Sequence, residues 1–324
     1  MDRAFSDEVA SDQWRREAET WVAEHLDGTP ILSVEQVRIR PWSTQLRIES
    51  VSGRYWLKAL PPGAAYEAGL HAVLAELVPD DVSRPVAVEA ERGWILDADH
   101  GPTWREERPA TTADWCTLMS GVAGLQQRLV AHEDAIVATG LPDCRPARTV
   151  DLFDRFVTLF AELDPDHPCH VDAGTRAELV EARPAVVDAS VRLVGSALPV
   201  TLQHGDLHTD NVFDSPTGLR LFDFGDAQWA HALEVLAVPR GVIDDDPSVE
   251  WDPVLAAYAG AWDLTPAEIA GDLAAAWLTQ SVHRCLTWWR ALSSATAKEW
   301  RAWGEAPVHH LTRVSARDTG DGAP

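Results

Sequence analysis

Lysine is nearly absent from this chain: two of 324 residues, Lys58 and Lys298, against 25 arginines. Each lysine therefore invites a specific reason. Cysteine is also scarce. Cys116, Cys144, Cys169 and Cys285 lie far apart and form no C-x-x-C pair, which argues against a disulfide framework or a zinc knuckle and makes a reducing cytoplasm the simple reading. No run of about 20 apolar residues exists from which a membrane span could be built. The N-terminal stretch MDRAFSDEVASDQW is acidic and polar, without the basic and apolar regions of a signal peptide. Positive charge is in short supply: 27 basic against 51 acidic residues leave a net charge of −24. Such a surface repels phosphate backbones and anionic lipid, so nucleic-acid and membrane-surface binding are disfavoured, and it attracts cations. Nothing in the sequence calls for an obligate protein partner. What remains, 46% hydrophobic and 24% charged, is ordinary for a folded soluble chain.

Residues 7–26 carry apolar Val9, Trp14, Ala18, Trp21, Val22 and Leu26 at spacings of three to five, the pattern of an amphipathic helix. Three β-rich runs follow, 34–40, 45–51 and 54–60, broken at Pro41-Trp42-Ser43 and Ser52-Gly53 as in an antiparallel meander. A helix is expected over 64–77, between Pro61-Pro62-Gly63 and Pro79, and then two strand-like pieces, 85–89 and 93–97. Beyond them the pattern turns helical: 112–131, 150–163, 173–198, 253–261, 266–292 and 295–303, interrupted by one β-rich island at 201–226. The expected organisation is a small sheet-plus-helix lobe, 1–98, and a larger helical lobe, 99–324, with a frayed tail over 315–324. No internal repeat is present.

The island reads TLQHGDLHTDNVFDSPTGLRLFDFGDAQWA. Two short strands, 211–213 and 219–222, flank the turn Ser215-Pro216-Thr217-Gly218, and polar groups crowd their ends: His204, Asp206, His208, Asp210 and Asn211 before the first, Asp223 and Asp226 after the second. Acids gathered at one end of a hairpin suit a divalent cation with hard oxygen ligands. His204 and His208, four apart, do not read as a metal pair, because Gly205 and the loop context argue against a helix there. Asp210 and Asp214 read as turn or surface acids. Any one of Asp206, Asn211 and Asp223 could be a turn former, but their joint spacing is not explained that way. H-x-D-x-x-x-x-N (His204, Asp206, Asn211) followed by D-F-G (Asp223, Phe224, Gly225) has the form of the catalytic and magnesium loops of protein-kinase-like phosphotransferases.

With these motifs, HGDLHTDNV and LFDFGDA, the chain resembles the aminoglycoside phosphotransferase/choline kinase family over essentially its whole length. The resemblance implies an α+β, bilobal protein-kinase-like fold, with a small antiparallel-sheet N-lobe and a larger, mainly helical C-lobe. It implies Asp206 as the catalytic residue that accepts or orients the proton of the acceptor hydroxyl, Asn211 and Asp223 as ligands of Mg²⁺, and Asp226 as a support of that loop. ATP and Mg²⁺ are the implied cofactors and a small molecule the implied acceptor. Gly205 stands where protein kinases usually carry arginine, as in small-molecule kinases.

The resemblance also asks for a cation on the third strand and a carboxylate on the next helix. Lys58, in RYWLKAL, meets the first demand, and Glu67 the second, with Glu76 the runner-up. A compact ammonium pointing at phosphates is one reason to keep lysine where the chain otherwise uses arginine. The loop between the first two strands, Arg40 to Thr44, should cover the phosphates but has no glycine; Ser43 and Thr44 are its candidate donors. Asp97-Ala98-Asp99 resembles the hinge whose backbone would meet the adenine edge. For the acceptor, Asp244, Asp245, Asp246, Glu250, Trp251, His283, Trp288 and Trp289 are candidates, since acids and aromatics suit a cationic amine. The net charge favours an aminoglycoside-like antibiotic. A metabolic kinase of an amino-sugar, choline-like or amino-alcohol substrate is the alternative, and a nucleotide-binding protein without transferase activity the second.

Overall fold

The computed structural model describes residues 3–215 and 218–316. Helices α1 (Phe5–Val9) and α2 (Asp12–His25) replace the single helix expected over 7–26. Ser11 breaks it: extended itself, it accepts the Trp14 amide with its hydroxyl and so caps a new helix. Strands β1 (Ile31–Arg40), β2 (Ser43–Ser50) and β3 (Gly53–Ala59) form the expected meander, followed by helix α3 (Tyr66–Leu77) and strands β4 (Ala87–Glu89) and β5 (Trp94–Ala98). The sheet is antiparallel throughout, in the order β1-β2-β3-β5-β4.

Strand alternation sorts this sheet into two chemistries. Leu46, Ile48, Leu57, Ala59 and Leu96 face one way, onto Trp14, Ala18, Trp21 and Val22 of α2. Trp94 meets Trp14 and Trp21 edge-on there, with ring centres 5.9 and 5.5 Å apart. The other face carries Gln45 opposite Lys58, Lys58 opposite Ile95, and Trp56 opposite Asp97. α3 packs on that face through Ala68, with Ala64 in the turn before it, against Leu60 and Ile95.

After β5 the chain is mainly helical: α4 (Trp104–Glu107), α5 (Thr112–Leu129), α6 (Glu133–Val137), α7 (Pro146–Glu162) and α8 (Ala173–Val194). The β-rich island contributes β6 (Val200–Gln203), β7 (Val212–Ser215), β8 (Gly218–Leu221) and β9 (Gln228–His231), paired β6 with β9 and β7 with β8. The chain then runs through α9 (Ala237–Asp244), α10 (Trp251–Ala261), α11 (Pro266–Ala291), α12 (Ala297–Trp303) and α13 (Ala306–Ala316). The turn residues Pro216 and Thr217, and the tail from Arg317 onward, lie outside the described residues. Ser315 and Ala316, expected to fray, complete α13, whose Leu311 and Val314 are buried against α7, α8 and α11.

A polar network sits in the middle of the helical part. Glu234, fully buried, accepts from His283 Nδ1 at 2.7 Å and from Thr279 Oγ1 at 2.8 Å, and His283 Nε2 reaches Thr149 Oγ1 at 3.0 Å. Every member has a partner, and the network fixes the rotation of α11 about its axis. Glu234→Ala removes the acceptor and strands the buried His283 Nδ1, while Thr279 keeps the Ala276 carbonyl, so we expect a loss of about 3 kcal/mol in urea unfolding. A loss below about 1 kcal/mol would show that the network does not anchor α11.

Candidate active site

The cleft between the sheet and the β7–β8 hairpin has a volume of about 710 Å³. At its centre Lys58 Nζ lies 2.7 and 2.8 Å from the two oxygens of Glu67 and 2.8 Å from Asp223 Oδ1. Three elements meet at this one nitrogen: β3 supplies the lysine, α3 the glutamate, and the turn after β8 the aspartate. Burial disfavours the charge on Lys58, but Asp223 and Glu67 outweigh it and raise the ammonium above its ordinary value. Burial likewise opposes ionisation of Asp223, and Lys58 overcomes it, bringing the carboxyl down to about 2. Glu67 is the exception: burial, with Asp223 adding to it, lifts the carboxyl to about 7 against the pull of Lys58.

Asp206 sits on the loop between β6 and β7, and that loop is held at several points. His204 Nε2 bonds the Phe222 carbonyl at 3.0 Å, and Asn211 donates its amide to the Asp206 carbonyl at 2.8 Å. His208 accepts the Asp210 amide at Nδ1, which turns Nε2 toward Asp206 Oδ2, 3.3 Å away. This hydrogen bond raises the His208 pKa above its ordinary value. Burial pushes the Asp206 carboxyl up, but His208 and the Arg284 charge outweigh it and hold the group below the usual carboxylate value. Asp206 is ionised near neutral pH and open to the cleft, as a proton acceptor must be.

Gly205 explains itself sterically. Its φ is +84°, and a Cβ there would stand 1.9 Å from the Asp226 carbonyl oxygen. The loop between β6 and β7 and the turn after β8 approach too closely for any side chain. Asp226 is pinned in the same contact by Arg284, whose Nη1 bonds the Gly205 carbonyl at 2.9 Å and Asp226 Oδ2 at 2.6 Å.

The donor set fits a magnesium ion. Asn211 spends its amide nitrogen on the loop and Asp223 spends Oδ1 on Lys58, which leaves Asn211 Oδ1 and Asp223 Oδ2 as hard oxygens without a donor among the described residues. Asp223 takes φ +62°, a left-handed conformation costly for a non-glycine residue, and it turns the carboxylate into the cleft. Among the described residues no cluster of three His, Cys, Asp or Glu side chains could hold a metal alone. An ion here would complete its shell with phosphate oxygens and water, as Mg²⁺ prefers.

The other expected residues divide. Ser43, Asp97 and Asp99 line the cleft. Thr44 does not, which corrects its expected part in phosphate binding: it is one position out of phase on β2, faces the core, and donates its hydroxyl to the Arg38 carbonyl at 2.8 Å. Glu76 is exposed at the far end of α3. Of the acceptor candidates only Trp288 lines the cleft. Asp244 pairs with Arg240, Trp251 lies under the same guanidinium, Asp246 holds Ser248, His283 belongs to the buried network, and Trp289 packs on Phe156 and Phe160. Sequence reasoning passed over Arg38, Tyr66, Trp42, Arg284 and Arg290. Arg38 lines the cleft beside Ser43 and acts electrostatically on Asp223. Tyr66 Oη donates to the Gly225 carbonyl at 2.6 Å. Trp42, in the glycine-free turn, meets Trp288 and Trp303 edge-on across the cleft, at 5.5 and 5.2 Å. The missing glycine was the one usable signal among these; the arginines look like any others in an arginine-rich chain.

This geometry can be set beside known proteins. The sequence pattern of the phosphotransferase enzyme family matches residues 42–271, a span that contains Lys58, Asp206 and Asp223. The chain belongs to that family. It is a small-molecule phosphotransferase, and family membership implies a nucleotide as phosphoryl donor. No curated protein matches the sequence. Among solved structures, an ethanolamine kinase of Plasmodium vivax superposes with a TM-score of 0.64 at 12% identity, covering 93% of this chain and 89% of that one. The choline kinase LicA from Streptococcus pneumoniae gives 0.61 at 16% identity, over 93% and 99%. APH(2")-IIia, in its GDP and kanamycin complex, gives 0.59 at 15% identity, also over 93% and 99%. At such identities these likenesses carry the fold, and the bilobal protein-kinase-like α+β architecture expected from the motifs is the one observed.

The elevated Glu67 carboxyl has a consequence for the ligand-free phosphotransferase. A carboxyl whose folded value, about 7, exceeds its ordinary 4.5 contributes stability that is fully present below about pH 4.5 and is lost as pH rises through 7. We expect unfolding free energy to carry this downward component between pH 5 and 8, and Glu67→Gln to remove it. Parallel pH profiles for the two proteins would rule out an elevated Glu67.

Proposed function

We propose that this enzyme transfers the γ-phosphoryl group of ATP, with Mg²⁺, to a hydroxyl of a small molecule, and that its two lobes divide between residues 98 and 99. The observation that carries the proposal is the three-way contact of Lys58 with Glu67 and Asp223 in the same cleft as Asp206. Lys58 and Arg38 meet the phosphates from the sheet side, with Glu67 fixing the position of the ammonium. Asn211 and Asp223 hold Mg²⁺, which when bound neutralises phosphate charge and orients the γ-group. Asp206 accepts hydrogen from the acceptor hydroxyl. The acceptor oxygen bonds the γ-phosphorus, the bond from that phosphorus to the β–γ bridging oxygen breaks, the proton goes to Asp206, and ADP carries away the electron pair. His208 and Arg284 keep Asp206 ionised and aimed for this step.

The test separates binding from transfer. Saturating Mg-ATP should raise the melting temperature by mass action. Asp223→Ala should abolish that shift, whereas Asp206→Ala should keep it and lose about 10²–10⁴ in turnover. No shift in the wild type would reduce the protein to a family member without nucleotide-dependent activity, and equal loss of the shift in both variants would exchange the roles given to the two aspartates.

The acceptor's charge is bounded by the wall of the cleft away from the hinge. Trp42, Thr287, Trp288, Arg284 and Arg290 line it, and Asp226 beside them is paired with Arg284. Among these side chains two arginines stand against one aspartate, which offers a polycation little despite the overall charge of −24. A sugar or amino alcohol with an apolar face suits the two indoles better. The acceptor KM should then change less than about twofold between low and about 0.5 M salt, because long-range attraction, the part that salt screens, contributes little. A KM that climbs steeply with salt would restore the polycationic acceptor.

A further inference from the structure

At the hinge end of the cleft the carboxyl of Asp97 has no hydrogen-bond donor among the described residues. Its Oδ1 is closed off from solvent without a partner, and Oδ2 is left on the cleft side. Exposed aspartates need no explanation of this kind, but a half-buried carboxyl without a single donor does, because an unmet acceptor out of water costs free energy that a ligand can return. Its surroundings describe the ligand. Asp97 shares the inner face of the sheet with Lys58, two residues further along, which places it about 6–7 Å down the strand direction from the phosphate-binding ammonium. Facing it across the cleft, Phe213 and Phe222 stack with ring centres 4.2 Å apart and planes 15° apart, and His100 leans on Phe213 at 5.3 Å. Ile95 and Ala98 line the sheet side. Aromatic and aliphatic side chains thus line this end of the cleft around the unpartnered Asp97 carboxyl.

Given the nucleotide-dependent transfer proposed above, on which this inference rests, we infer that Asp97 Oδ2 reads the purine base by accepting a hydrogen bond from the exocyclic amino group of adenine, and so makes the enzyme ATP-selective. A guanine would need two acceptors to take up its N1–H and N2–H groups together, and Oδ1 is closed off from solvent. Presented the other way, guanine would set its O6 against Oδ2, acceptor against acceptor. Burial pushes the Asp97 carboxyl up, with His71, His100 and Lys58 opposing, and a proton retained on Oδ1 would leave Oδ2 an acceptor all the same.

Calorimetric titration of the full-length protein with Mg²⁺ and ATP, GTP or purine riboside triphosphate (adenine without its amino group) tests this without an acceptor. A hydrogen bond to a charged group of about 1.5–3 kcal/mol corresponds to about 10- to 150-fold. The wild type should therefore bind ATP at least about tenfold more tightly than either other nucleotide. Asp97→Ala should lose the distinction between ATP and the purine analogue. Asp97→Asn, which keeps the shape and adds a donor for O6, should narrow the ratio of ATP to GTP affinity about tenfold or invert it. Equal affinity for ATP and GTP in the wild type, or an unchanged ratio in Asp97→Asn, overturns the inference and leaves the phosphotransferase intact. Failure of all three nucleotides to bind the wild type overturns the donor assignment as well.

Discussion

One ammonium group holds the cleft together. Removing a charge from water costs several kcal/mol, and Lys58 recovers that cost only if Glu67 and Asp223 are both within hydrogen-bond reach. The strand register, the approach of α3 and the conformation of the turn after β8 must therefore be right together. The lysine, glutamate and aspartate carry a combined charge of −1 with Glu67 ionised and of zero with its elevated carboxyl protonated.

The same turn is fixed from other directions. Tyr66, beside Glu67 in sequence, donates to the carbonyls of Gly225 and Ala227, so α3 grips the turn directly by a phenol and, through Lys58, by the Glu67 carboxylate. Phe224 is fully buried between His71 and His204. A Cβ at Gly225 would stand 2.9 Å from Glu67 Oε2, and only glycine lets the helix come this close. The left-handed φ of Asp223 persists because its neighbours on both sides are so constrained.

Helix α11 divides its faces in the same economical way. Arg284, Thr287, Trp288 and Ala291, at helical spacing, line the cleft. Val282 and Cys285 face the core, where Leu278, Leu286 and Trp289 pack beside them, and His283 is locked to Glu234. From the far end of this helix Trp288 and Arg290 reach the opposite lobe: Trp288 meets Trp42, and Arg290 Nε bonds the Gly63 carbonyl at 2.9 Å. A loop without glycine can still cover a cleft if an indole ties its tip to the facing helix. Here rigidity and aromatic contact stand where backbone flexibility would otherwise serve.

By itself the sequence determined what short-range patterns encode. The meander of β1 to β3, the position of Lys58 on the third strand, Glu67 in the first turn of α3, and the spacing of Asp206, Asn211 and Asp223 were all legible, because alternation, helix boundaries and loop motifs are local. Tertiary structure decided the rest. Whether Ser43 or Thr44 faces the cleft turned on a one-residue phase of β2. Asp244 and Asp246 looked like part of a cation site until their own neighbours, Arg240 and Ser248, took them up. The cleft wall away from the hinge comes from the β1–β2 turn and α11, more than 240 residues apart, and Arg284 finds Asp226 across 58 residues. Asp97 is one more acid in an acidic chain until the fold removes its donors. Contacts over such separations leave no periodic trace in the chain, since they depend on which faces the packing turns toward one another.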